Sequence, residues 1–186
     1  MVSARSLPSQ DLDPGREKDF VIPPMRRVVP EARVHVICGG GTGSHLLRLL
    51  HERGYALSAG ILSSNDEDTS TARELGAEVV EAPGLRSPPE EALHQVRQAL
   101  TRADAVVLTP FAVGSGNLTN LRLAAELPPA MPLYVVRGGD FSKRDYTGGL
   151  ASPIYEALLK RARGAATSAS SVVLLLEREL PPVPHR

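Results

Sequence analysis

From Arg33 onward the sequence alternates short apolar runs with amphipathic stretches. Val34-His35-Val36-Ile37-Cys38 reads as a strand, and its nearly unbroken apolar character marks it as covered on both faces. The next stretch carries Leu46, Leu47, Leu49 and Leu50 as a helix and stops at Gly54, the residue type expected just past a helix end. A second strand is predicted over 56–62, followed by a polar loop from Ser63 to Asp68 and a helix over 69–75 closed by Gly76. The third strand covers 77–82. Pro83, Pro88 and Pro89 mark a long loop, and Pro89 suits the first turn of a helix over 90–102.

The rhythm continues through Ala105-Val106-Val107-Leu108, the fourth strand, and a helix from Gly114-Ser115-Gly116-Asn117 to about Leu127. Leu133-Tyr134-Val135-Val136 is the fifth strand. A polar loop from Arg137 to Gly149 then precedes a helix over 152–163. The apolar run 172–176 fits either a sixth strand or a final helix, because its length suits both. Strands alternating with helices imply right-handed crossovers and a parallel sheet covered on both faces. The expected fold is therefore a Rossmann-like α/β three-layer sandwich with five or six parallel strands in the order 3-2-1-4-5.

Outside this rhythm lie two proline-rich ends. Residues 1–30 are read as a flexible tail, with Phe20-Val21-Ile22 as the one short strand candidate. Residues 31–177 form the ligand-binding domain, and residues 178–186 a proline-rich C-terminal tail. With 186 residues the chain suits one such domain.

Composition narrows the function. Acidic and basic side chains balance at 21 each, so no bulk field draws the chain to nucleic acid or to an anionic membrane. Aromatic residues are few and Trp is absent, which removes the usual base-stacking platforms. No apolar run approaches the roughly 20 residues that span a bilayer, and the first residues lack the apolar core of a secretory signal. The single cysteine, Cys38, has no disulfide or metal-binding partner within the chain. A cytoplasmic location is expected, with no nucleic acid, no membrane insertion and no resident metal.

Two glycine loops hold the candidate chemistry. Gly39, Gly40, Gly41, Thr42, Gly43 and Ser44 link the first strand to the first helix. Glycines let a backbone approach a phosphate without Cβ clashes, and the N–H groups and dipole of a helix start favour negative charge. The spacing Gly39-x-Gly41-x-x-Ser44 is close to the dinucleotide fingerprint, with Ser in place of the third Gly. A dehydrogenase also needs an acidic residue at the end of the second strand to hold the ribose. Here Ser63 and Ser64 occupy the nearer positions and Asp66 falls late. Asp66, Glu67 and Asp68 read most simply as solvated residues at a helix start.

The second loop is Gly114, Ser115, Gly116 and Asn117, with Asn117 as a candidate helix cap. In the order 3-2-1-4-5 the first and fourth strands are neighbours, so both loops leave one edge of the sheet at the topological switch point. The long loop after the fifth strand lies beside them and offers Lys143, Arg144, Tyr146 and Thr147. The candidate binding set is thus Gly39–Ser44 with Ser63, Gly114–Asn117, Arg144 and Thr147. No catalytic residue is assigned. The ligand is a small anion, with a nucleotide or dinucleotide as the candidate cofactor. His35 reads as a satisfied structural residue, His45 as able to reach the crevice, and His51 and His94 as surface residues.

Three stretches carry a resemblance: Val34 to Ser44, Gly116-Asn117-Leu118-Thr119-Asn120-Leu121, and Arg144-Asp145-Tyr146-Thr147-Gly148-Gly149. Over residues 33–177 the chain resembles the accessory C-terminal domain of prokaryotic ABC transporter ATPases of the cobalamin and iron-siderophore uptake class, here without the ATPase domain. The resemblance implies a Rossmann-like fold, a role in regulating corrinoid or iron-chelate uptake, and an ABC transporter component as partner. A homodimer is compatible with it. The glycine loop also resembles that of the lysine-decarboxylase-like phosphoribohydrolases, but Leu47 stands where their catalytic Glu would be.

The functional expectation is a non-catalytic domain that binds a nucleotide or a small phosphorylated ligand. The alternatives are a nucleotide-dependent enzyme, either an NAD(P)-linked oxidoreductase or a nucleotide hydrolase, and a ligand-free interaction module.

Overall fold

Six strands run parallel in one sheet, and their register shows how the chain winds. Strand β1 (Arg33–Cys38) pairs on one side with β2 (Ala56–Ile61) and on the other with β4 (Ala105–Leu108). Outside them lie β3 (Glu78–Glu81) on the β2 side, then β5 (Leu133–Val136) and β6 (Gly164–Ala166) on the β4 side. The order is β3-β2-β1-β4-β5-β6. This is the Rossmann-like winding, with its switch point between β1 and β4. The computed structural model describes residues 31–38, 42–61, 66–81, 90–109, 115–137 and 149–182.

Among the described residues six helices cover the two faces: α1 (Thr42–Glu52), α2 (Asp66–Glu74), α3 (Glu90–Thr101), α4 (Ser115–Ala125), α5 (Ala151–Arg161) and α6 (Ala169–Glu179). Alternation along each strand sorts the core into two layers. Val34, Val36 and Cys38 of β1 join Leu46, Leu47 and Leu50 of α1, Ala72 of α2, and Val172, Val173 and Leu176 of α6. Ile37 faces the other way, with Val96 and Leu100 of α3, Leu121 and Ala124 of α4, and Tyr155 and Leu158 of α5. Each fully buried Leu or Ile contributes about 1.5–3 kcal/mol relative to exposure, so both layers are strongly specified.

Helix ends follow local chemistry. Helices α1 and α2 both end in a glycine with positive φ, Gly54 at 84° and Gly76 at 69°. The Tyr55 N–H donates to the Leu50 carbonyl and the Gly54 N–H to that of His51, and the same pair of bonds recurs from Ala77 to Ala72 and from Gly76 to Arg73. Both are Schellman ends, which need a residue that tolerates left-handed backbone. Helix α6 is capped by Ser168, whose hydroxyl accepts the Ser171 N–H at 3.1 Å.

The structure settles the open run and adds a strand. Residues 172–176 lie within α6, where Val172, Val173 and Leu176 are buried at helical spacing while Leu174 is exposed. The sixth strand is Gly164-Ala165-Ala166, with no bulky side chain to announce it, held to β5 by backbone pairing. Helix α2 begins at Asp66, three residues earlier than expected, and α6 ends at Glu179, two residues past the expected domain boundary. The strand candidate at Phe20–Ile22, Pro89 and the C-terminal residues 183–186 lie outside the described residues.

Candidate functional site at the switch point

The carboxyl ends of β1 and β4 lie side by side, with Ile37 in register with Leu108. The Thr109 N–H and hydroxyl both donate to the Ile37 carbonyl, at 3.0 and 3.3 Å. One residue on, the Cys38 carbonyl accepts from Asn120 Nδ2 at 3.1 Å, so α4 is tied to the last residue of β1. Helices α1 and α4, which follow these two strand ends in the chain, pack on opposite faces of the sheet.

The predicted residues divide as follows. Thr42, Gly43 and Ser44 form the first turn of α1, with Thr42 exposed and Gly43 and Ser44 buried. Ser115, Gly116 and Asn117 form the first turn of α4. Asn117 therefore lies inside that helix and is not its cap, because the helical backbone already starts at Ser115. Gly39, Gly40, Gly41, Ser63, Gly114, Arg144 and Thr147 lie outside the described residues, as do Lys143 and Tyr146. His45, His51 and His94 are all exposed.

Asp68 overturns the expectation of a solvated acidic helix start. It is fully buried, and one carboxylate oxygen accepts the Ser44 N–H at 2.6 Å. Ser44 Oγ in turn donates to Glu67 Oε1 at 3.2 Å. A carboxylate from the first turn of α2 thus occupies the N-terminal end of α1, where the helix dipole favours negative charge. Gly43 makes this approach feasible: a Cβ there would stand 2.7 Å from an Asp68 carboxylate oxygen. The absence of a side chain at Gly43 therefore serves the contact with Asp68. Burial pushes the Asp68 carboxyl up to about 6, the Ser44 N–H partly offsets this, and the nearby Glu67 adds to it. The buried Cys38 thiol is also pushed up, first by burial and then by the Asp68 carboxylate.

Asn120 and His35 are the polar groups that sequence reasoning undervalued. Asn120 is 1% exposed, and its Oδ1 has no hydrogen-bond partner. The signal was present: Asn120, Ala124 and Leu127 share the i, i+4, i+7 spacing of a covered helix face, where an amide needs a reason. His35 is completely buried at mid-strand, and its Nδ1 pairs with the Ser58 hydroxyl at 2.8 Å across the β1–β2 register. Its Nε2 has no partner, so it is only half satisfied. Burial lowers the imidazole to about 3 and keeps it neutral.

No group of three His, Cys, Asp or Glu side chains able to hold a metal ion occurs among the described residues. A cavity of about 430 Å³ opens at the opposite, amino-terminal edge of the strands, where Arg33 and Glu78 in its lining pair with each other at 3.2 Å. No described helix is long and apolar enough to cross a membrane.

Residues 57–173, from β2 into α6, match the MJ0874 family. The chain belongs to the MJ0874 family. An uncharacterised member from Methanocaldococcus jannaschii is 32% identical over 66 residues, which cover 36% of this chain and 71% of that protein. The matched span takes in Asp68, Asn120 and the second glycine loop, but not β1 or the first loop. A solved structure from Escherichia coli K-12, provisionally described as an oxidoreductase, aligns over 79% of this chain and 88% of its own length at 16% identity and a TM-score of 0.43. A likeness at that score says nothing of activity.

Proposed function

We propose that this protein is a ligand-binding domain that takes a nucleotide or another small phosphorylated molecule at the carboxyl edge of its sheet, between β1 and β4. The observation that carries the reading is the switch point itself: two adjacent strand ends from which glycine-rich segments lead into helices on opposite faces. In this reading the anion rests on backbone amides of residues 39–43. The Ser44 N–H is already committed to Asp68. The motif resemblance described above extends the proposal to regulation of corrinoid or iron-chelate uptake. A nucleotide-dependent enzyme is the second reading. Turnover of NAD(P)H or of a nucleoside triphosphate by the purified protein separates it from the first.

The test is a thermal-shift screen against nucleotides, dinucleotides and corrinoids, followed by calorimetric titration. A ligand at a hundred times its Kd adds about 2.7 kcal/mol to stability, which for a chain of this length raises Tm by roughly 5–10 °C. The variant Gly41→Val should lose that shift while keeping its own melting transition, since the added side chain fills the space of the phosphate. A shift of equal size in the variant refutes the location, and no shift with any compound at millimolar concentration refutes the reading.

A further inference from the structure

We propose that the outer face of α4 and α5 holds a second copy of this chain, turned by a twofold axis so that the two α5 helices run antiparallel. Helix α5 carries two apolar stripes where a helix on the surface of a monomer carries one. Ala151, Tyr155 and Leu158 are buried and turn to the sheet. The second stripe is Leu150, Pro153, Ile154 and Ala157, at i, i+3, i+4, i+7 spacing, with Leu150 56% exposed, Pro153 and Ala157 exposed and Ile154 half-buried. Together with Ala125 of the neighbouring α4, Pro153, Ile154 and Ala157 line a groove of about 360 Å³. Arg161, also in its lining, gives its guanidinium to the Ala124 and Pro128 carbonyls at 3.1 and 2.7 Å, so covering the groove strands no charge there. The alanines on both sides let the backbone of another helix come close.

Charge then selects the occupant. Glu156 and Lys160 border the stripe on its solvent side, are both exposed, and stand one helical turn apart. In that order on a helix they could pair with each other, yet neither makes a hydrogen bond or ion pair with a described residue. A second α5 laid antiparallel, with its midpoint level with Leu158, sets the Glu156 carboxylate of each copy against the Lys160 ammonium of the other. A parallel α5 would set like charge on like. The same axis treats α4 alike. Arg161 reaches the Ala124 carbonyl, so Ala124 lies beside the middle of the groove, and the exposed Arg122 and Glu126 flank that level with the order of charge reversed. Turned over, Arg122 of one copy meets Glu126 of the other, which also holds its own Arg97 at 2.9 Å. Two helices that both complement themselves under one twofold favour a second copy over an unrelated partner, and a closed dimer over an open chain of subunits.

The test is sedimentation equilibrium of the full chain from micromolar to near-millimolar concentration, with charge variants at exposed positions that should leave the fold intact. The parent should show a monomer–dimer equilibrium. By symmetry Glu156→Lys and Lys160→Glu each turn two attractions into two repulsions, and each should weaken the dimer by about tenfold or more. Glu156→Lys combined with Lys160→Glu in one chain restores both contacts with their signs exchanged, and should recover the parent's affinity. A parent that stays monomeric throughout overturns the proposal. A dimer whose dissociation constant is unchanged in both single variants overturns it too, since the contact then lies elsewhere. So does a double variant no tighter than the single ones, because the pairing is then not antiparallel. Should a charge variant fail to fold by circular dichroism, Ala157→Glu on the same face takes its place: loss of the dimer supports the assignment, and a dimer as tight as the parent's overturns it.

Discussion

Consider the exchange His35→Gln, with unfolding in urea followed from pH 4 to 7.5. The folded imidazole holds a proton only below about pH 3, whereas the unfolded one takes it up near 6.5. Between those values the unfolded state binds more protons, so stability falls as the pH drops, by about 1.4 kcal/mol per unit and about 3 kcal/mol by pH 4. Asp68 works in the opposite direction. Its folded carboxyl titrates at about 6 against an ordinary 3.8, so its contribution to stability is fully present below 3.8 and is lost as the pH rises through 6. That loss is at most about 3 kcal/mol. From pH 6 down to 3.8 the two slopes nearly cancel, and the parent should be almost flat in this pair's contribution. His35→Gln exposes the Asp68 slope, gaining up to about 3 kcal/mol relative to the parent between pH 6.5 and 4 after subtraction of a constant offset. Asp68→Asn exposes the histidine and falls steadily below 6.5. Far-UV circular dichroism is the readout, since the chain has no Trp. A parent–variant difference that stays constant from pH 6.5 to 4 would refute a buried, neutral His35.

Other expectations are simpler to check. Gly43→Ala should lower stability by about 1–3 kcal/mol, because its Cβ meets the Asp68 carboxylate; Asp68→Ala in the same chain should recover part of that loss, and additive losses in urea melts would contradict the contact. Cys38 should resist a thiol reagent in the native protein and react only on unfolding, and rapid labelling of folded chain would show that β1 opens. With NAD⁺ as probe, affinity at the proposed site should rise several-fold between pH 7.5 and 5.5 as Asp68 gains its proton. Asp68→Asn should abolish that dependence, and titrations in the variant that still vary with pH would assign it to another group. Arg144→Ala should weaken an anionic ligand by about tenfold, and unchanged affinity would remove the loop after β5 from the site.

The fold was legible wherever a run of β-branched or aliphatic residues met a glycine. Val34 to Cys38 and Leu133 to Val136 need no tertiary information, because no other arrangement buries them on both faces. Gly54 and Gly76 marked two helix ends for a local reason, their left-handed backbone. Strand β6 was not legible. Gly164, Ala165 and Ala166 carry no hydrophobic signal, and their pairing depends on β5 being in place. The switch-point edge of the sheet was legible, since it follows from strand order alone. Its polar interior was not. Asp68 looks like any acidic residue at a helix start until α1 is seen to lie against it, and the spacing that sets Asn120 on a covered helix face does not reveal its partner, the Cys38 carbonyl.

The last helix also bears on how the chain is made. Tyr55, just after α1, donates its hydroxyl to the Leu180 carbonyl at 2.5 Å, 125 positions away, and Arg53 holds Glu177 with both carboxylate oxygens within 2.7 Å. The leucines of α1 share their layer of the core with Val172, Val173 and Leu176. At synthesis rates of about 5–20 residues per second, the first helix waits roughly 6–25 seconds for the segment that covers it. During that interval a growing chain presents an uncovered apolar stripe. The newborn protein should therefore depend on chaperones early and become independent of them only after its final helix has docked.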